Sequence, residues 1–273
     1  MSETPASLPS PAGRPVAPLG VLDAIGMGWR LMTSDFWRLW VVAFLAFILS
    51  ALAGPGAIIV APPLAAGMFY VLALRMQGRP FQVGDLFQGF SQRFKPSLIA
   101  GLIPYGVLYL GPLLWVPFHL LCVFGAMAVA EGMRDEAGGF AFAGFICLDI
   151  LVYTLIMLGV LVVRMLFTFA QCAVWSFPNS GWEGAKDAVR LARDHIGSVI
   201  GLWLLFVLIW LGGVIVGYLA CVVGVFFVMP IVDLWYSASV VHLYTAWTGR
   251  PMPTPPVAPA PPPMPPPVTA PEA

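Results

Sequence analysis

The chain of 273 residues is 60% hydrophobic and only 10% charged, with a mean hydropathy of +0.90. Soluble domains carry about a quarter charged residues, so a water-soluble fold is excluded. Thirteen basic residues balance thirteen acidic ones, which leaves no surplus for a polybasic nucleic-acid face; no nucleic-acid partner is expected.

Residues 1–19 are rich in Ser, Pro, Ala and Gly and are expected to be disordered. Pro5, Pro9, Pro11, Pro15 and Pro18 interrupt them, and no apolar stretch precedes the first span, so a cleavable leader is not expected. A membrane domain then occupies residues 20–250. Leu39–Leu74, Pro96–Ala130 and His195–Val232 contain no Asp, Glu, Lys or Arg. A bilayer crossing needs roughly 20 apolar residues, so each run can hold more than one. Gly54-Pro55-Gly56 divides the first into spans 35–53 and 57–77. The second, 97–130, carries Pro104, Pro112 and Pro117 and reads as one long kinked helix. After a polar loop at Glu131–Glu136, a fourth segment covers 140–176, interrupted by Asp149 and Arg164. Two further spans, 196–219 and 222–247, bring the count to six. From Pro251 to Ala273, 12 of 23 residues are proline, which specifies an extended polyproline tail and no packed element. Within it, Arg250-Pro251-Met252-Pro253-Thr254-Pro255-Pro256 matches an R-x-x-P-x-x-P ligand pattern, which chance explains in such a tail.

The expected fold is therefore all-α and polytopic. Six spans form three hairpins, each preceded by a short interfacial amphipathic helix. The first such helix carries Leu22, Ile25, Trp29 and Met32, and the second Val83, Leu86, Phe87, Phe90 and Phe94. The third sets Trp182, Ala185, Val189, Ala192 and Ile196 opposite Glu183, Lys186, Asp187, Arg190 and Arg193, behind a capping box at Ser180 and Glu183. Apolar sides are expected to face lipid. Gly78-Arg79-Pro80 and Gly249-Arg250-Pro251 close the first and last units in the same way, which suggests a parallel internal repeat.

Charge placement gives the orientation. With the N-terminus in the cytoplasm, 11 of the 13 basic residues fall on cytoplasmic segments, and the outer turns at 54–56 and near 220 carry none. The positive-inside rule then places both termini in the cytoplasm of a plasma (inner) membrane. Trp29, Trp37, Trp40, Trp182 and Trp247 fall at that inner boundary as an aromatic belt.

Short motifs add a resemblance. Pro63-Leu64-Ala65-Ala66-Gly67-Met68, Gly78-Arg79-Pro80 and Asp85-Leu86-Phe87-Gln88-Gly89-Phe90 are followed by Gly184-Ala185-Lys186-Asp187-Ala188-Val189-Arg190-Leu191. Over residues 25–248 this order resembles a widespread class of bacterial six-span integral-membrane proteins of unknown function, with P-L-x-x-G and D-L-F-x-G-F motifs. The resemblance implies a six-span inner-membrane protein and brings no activity.

Nucleotide-binding and catalytic signatures are absent from the sequence: there is no GxxxxGK[ST], GxGxxG after a strand, HExxH or GxSxG. No catalytic residue, cofactor or metal is assigned. Cys122, Cys147, Cys172 and Cys221 lie in apolar segments without CxxC spacing and read as buried thiols. Ionisable groups at membrane depth are then the candidate functional residues, since each is costly to place there. They are Asp233, just beyond Pro230 with Ser237 one turn on; Asp149; Arg164; and His119, which lies three residues before Cys122. Two ligands make no metal site. The gaps between Gly213, Gly217, Ala220 and Gly224 make a smooth strip for close helix packing.

Two functions fit this inventory. A non-enzymatic scaffold, envelope or lipid-contacting protein is the leading expectation, with membrane lipids and either a second copy or another membrane protein as partners. The alternative is a small-solute or ion transporter or channel using Asp233, Asp149 and Arg164. Convergence of these three on one wet cavity would favour transport, and scattered interface positions would favour the scaffold.

Overall fold

A computed structural model describes residues 19–132, 136–177, 180–219 and 223–250. The N-terminal segment, the centre of the 131–136 loop, Ala220 and the proline-rich tail lie outside them. The described residues are helical, with no strand among them: α1 (Val21–Thr33), α2 (Phe36–Leu52), α3 (Ala57–Met76), α4 (Gln88–Ser91), α5 (Phe94–Gly132), α6 (Glu136–Leu166), α7 (Ala170–Ser176), α8 (Gly181–Asp194), α9 (Ile196–Leu219) and α10 (Val223–Thr248). Five of the helical stretches are long and apolar enough to cross a membrane. The count reaches six if α1 and α2, which meet at 100°, form one broken span.

Helix ends follow local chemistry. Gly54-Pro55-Gly56 forms a 3-10 turn between α2 and α3, with Gly54 at φ 52°. Gly78 and Gly249 terminate α3 and α10 at φ 67° and 62°, a left-handed conformation that glycine adopts without steric cost. The repeated Gly-Arg-Pro tripeptide is thus a repeated helix stop. Ser180 caps α8, its Oγ accepting from the Glu183 amide at 3.2 Å.

The three amphipathic segments pack differently from the sequence expectation: the small residues on their apolar sides are covered by protein. α1 runs along the last turns of α10, with Gly28 against the backbone of Ser239 and Trp235 Nε1 donating to Ile25 O at 2.9 Å. The 83–91 segment lies on α3. There Gly67 meets the Leu86 carbonyl, and Gly89 meets the Pro63 carbonyl so closely that a methyl group fits at neither position. The P-L-x-x-G and D-L-F-x-G-F motifs are therefore two halves of one backbone contact. α8 buries Ala185, Ala188 and Ala192 against α5 and α7, with Gly181 on Pro96. Glycine and alanine offer little surface to lipid but let helices approach closely, so protein contact wins. The tryptophans follow the same logic. Trp29 packs on Trp235 at 4.9 Å, Trp40 stacks on Phe227 at 5.6 Å and Trp247 on His195 at 4.1 Å. Trp37 and Trp182 stay exposed, at 73% and 51%.

The core joins α1, the inner-facing side of α3, α7, α8 and the second half of α10, with Tyr244, Phe169, Leu64 and Leu234 fully buried. α5 and α6 pair along their length and project large exposed side chains such as Leu121 and Phe124. Gly213 and Gly217 seat α9 against Val228 and Val225 of α10, as the small-residue strip implies.

Candidate functional site

A cavity of about 300 Å³ opens inside the helix bundle, walled by α2, α3, α5, the α6–α7 junction, α9 and α10. Most of the charged and polar wall groups arrive through helix irregularities. α10 brings Asp233, Tyr236 and Ser237 less than one turn to two turns after Pro230. α5 brings Tyr105 and Tyr109 at and beyond Pro104. Phe167–Phe169 break the helix between α6 and α7, placing Arg164 and Thr168 before and within the break and Gln171 just after it. α3 contributes its wall where Pro62 and Pro63 interrupt the amide ladder. Proline removes a backbone donor and clashes one turn upstream, so such helices tolerate a polar cavity at their side.

One part of the cavity wall is a saturated network. Thr168 Oγ1 donates to Arg164 O at 3.1 Å and accepts from Trp203 Nε1 at 2.8 Å and from the Tyr236 hydroxyl at 3.3 Å. One hydroxyl has one proton and two lone pairs, so its capacity is filled. The Arg164 guanidinium sits 5.7 Å from the Trp203 ring centre, a cation–π distance that fixes it without neutralising it. Asp233 is solvent-exposed although it lies ten residues into α10; its exposure is to this cavity. The two charges line one space without a direct ion pair. Gln171 is 6% exposed; its Nε2 donates to Ser97 O at 3.3 Å, and its buried Oε1 has no partner.

Of the residues singled out from sequence, Asp233, Ser237 and Arg164 converge on this cavity. Asp149 and His119 do not. Asp149 Oδ1 accepts from Trp115 Nε1 at 3.0 Å, and its Oδ2 pairs with His119 Nδ1 at 2.8 Å. This clamp ties α6 to α5, and Tyr153 covers it at 4.8 Å from Trp115. Asp149 therefore works as a hydrogen-bonding tie between neighbouring helices. Replacing Trp115 with Phe removes one intramembrane hydrogen bond and is expected to destabilise the hairpin by about 0.6–1.7 kcal/mol. Thermal melts of the detergent-purified protein check this. Among the described residues no group of three or more His, Cys, Asp or Glu side chains could hold a metal.

Sequence reasoning missed Gln171, Thr168, Trp203 and the Tyr105–Tyr109 pair. Two signals were available: Tyr105 and Tyr109 are one turn apart on one face, and Gln171 is the only amide side chain in the apolar 140–176 segment.

The fold and cavity define the class: among the described residues the protein is all-helical, with five helices, or six counting the bent pair, long and apolar enough to cross a membrane. Compared with known proteins, the chain matches no family model, no curated protein and no solved structure.

Proposed function

We propose that this protein is a six-span membrane protein that binds a small zwitterionic solute in its central cavity and carries it across the bilayer. The observation behind this reading is the meeting of Asp233 and Arg164, unpaired, on one cavity within an apolar bundle. An Asp or Arg at membrane depth costs about 2.5–3.5 kcal/mol on insertion scales, so two such groups facing the same space call for water or a ligand between them. One anion and one cation make the space neutral overall. A ligand carrying both signs satisfies each end, while a simple ion satisfies one and is repelled by the other. Tyr105, Tyr109 and Tyr236 line the same space with aromatic rings that suit an ammonium group. Helix interruptions around a central site are the pattern that transporters use to bind polar solutes.

The test is flux. Proteoliposomes should accumulate one or more labelled neutral amino acids or betaines faster than empty vesicles. A panel of these that shows neither flux nor binding would remove the proposal.

A second reading keeps the scaffold role, supported by the α5–α6 hairpin. α5 has 39 residues, about 58 Å at helical rise. That exceeds a hydrocarbon core of roughly 30 Å and leaves apolar surface for lipid or a protein partner. Both readings are non-enzymatic and share the topology proposed from charge placement, with both termini in the cytoplasm. Reporter fusions after Gly78, Glu136 and Gly249 should read cytoplasm, outside, cytoplasm. A cytoplasmic signal at Glu136 would overturn the six-span arrangement.

A further inference from the structure

A second space, about 540 Å³, lies beneath α8. Its cationic edge is Lys186, Arg190 and Arg193, and its floor is Phe167 from the α6–α7 break, with Trp182 and Val189 as apolar walls. The residues recur every three or four positions, so they form one face of the helix. Among the described residues, Asp194 is the only acidic group on this lining. It reaches Arg190 at 4.0 Å between two exposed side chains, which screens little of that charge. Among the described residues, Lys186 and Arg193 make no ion pair. The other acid in the middle of α8, Asp187, is engaged by Arg250 at 2.9 Å. The Lys186 ammonium lies 5.7 Å from the Trp182 ring centre.

We infer that this groove binds the headgroup of an anionic phospholipid. Three observations choose a lipid over a soluble phosphate. The walls below the cations are apolar and aromatic, and they gain nothing from a hydrated ion. α9 leaves the end of α8 with Ile196, Ile200 and Leu204 exposed in a row, at 43%, 41% and 58%, a path for an acyl chain. Trp182, half-exposed beside the cations, has the amphipathic character that suits the headgroup level. Basic pockets flanked by spanning helices recognise anionic headgroups in this way, through charge-assisted hydrogen bonds to phosphate oxygens. The inference is independent of the solute reading, although Phe167 lines both spaces.

The experiment measures which lipid stays bound. The full chain, purified in detergent with equal phosphatidylglycerol and phosphatidylcholine, is examined by native mass spectrometry. Wild-type protein should retain phosphatidylglycerol over phosphatidylcholine by about tenfold or more, on the basis of three cations near the headgroup. K186Q/R190Q/R193Q should lose that preference, while Lys95→Gln, an exposed cation elsewhere, should keep it. If the triple variant does not accumulate, Arg193→Gln alone should reduce the preference several-fold at an unchanged melting temperature. Equal retention of both lipids by wild type, or a preference that survives the triple substitution, would overturn the inference. Displacement of phosphatidylglycerol by millimolar inorganic phosphate would also overturn it, in favour of a soluble-anion site.

Discussion

Asp233→Asn is expected to leave the protein at near wild-type abundance and to weaken binding of the zwitterion by roughly tenfold to a hundredfold. Asn keeps the size and most hydrogen-bonding capacity of Asp but loses the charge. A hydrogen bond to a charged group contributes about 1.5–3 kcal/mol, which sets that range. Abundance should hold because Asp233 lines an open cavity and has no ion-pair partner to orphan. Arg164→Gln should weaken binding similarly, by removing the partner for the ligand's anionic end. The double variant D233N/R164Q separates the two roles. Losing both charges from an apolar bundle is neutral or stabilising for folding, so a protein that melts no lower yet fails to bind marks the pair as functional. Isothermal titration in nanodiscs against each zwitterion that wild type binds gives the number. Wild-type affinity in Asp233→Asn would show that this carboxylate is structural.

The second large effect concerns the fold. Gly67→Ala places a methyl group into the Leu86 carbonyl, and Gly89→Ala places one into the Pro63 carbonyl. Neither obstacle is a flexible side chain, so the 83–91 segment must lift from α3. Overpacking of this kind costs about 1–3 kcal/mol and more where backbone cannot move. The same contact packs Leu86, which is 0% exposed, so separation also exposes a core side chain. Membrane abundance is expected to fall severalfold for either variant. Gly84→Ala, with open space around its added methyl, should be indistinguishable from wild type. Equal abundance of all three, measured by quantitative blotting of membranes, would show that the contact is not needed for folding.

The helical fold and the presence and placement of helices long and apolar enough to cross a membrane were legible in the sequence, because composition and turn signals act locally. Gly54-Pro55-Gly56 breaks the first apolar run where the structure turns, and Ser180 caps α8 as its spacing implies. The cost of Asp233 was legible too, since a carboxylate beyond a proline in an apolar helix is expensive wherever the helix goes. Its company was not. Arg164 lies 69 positions earlier in the sequence, and only the packing of α6, α9 and α10 decides that the two share one cavity while Asp149 turns to Trp115 and His119 on α5. The amphipathic segments show the same division. An alanine–glycine face fixes that a helix is two-sided, but whether lipid or another helix covers it depends on how closely a distant backbone approaches. Periodicity is a property of neighbours along the chain. A cavity is a property of residues that only folding makes neighbours, and here that required α2, α3, α5, the α6–α7 junction, α9 and α10 to be in place.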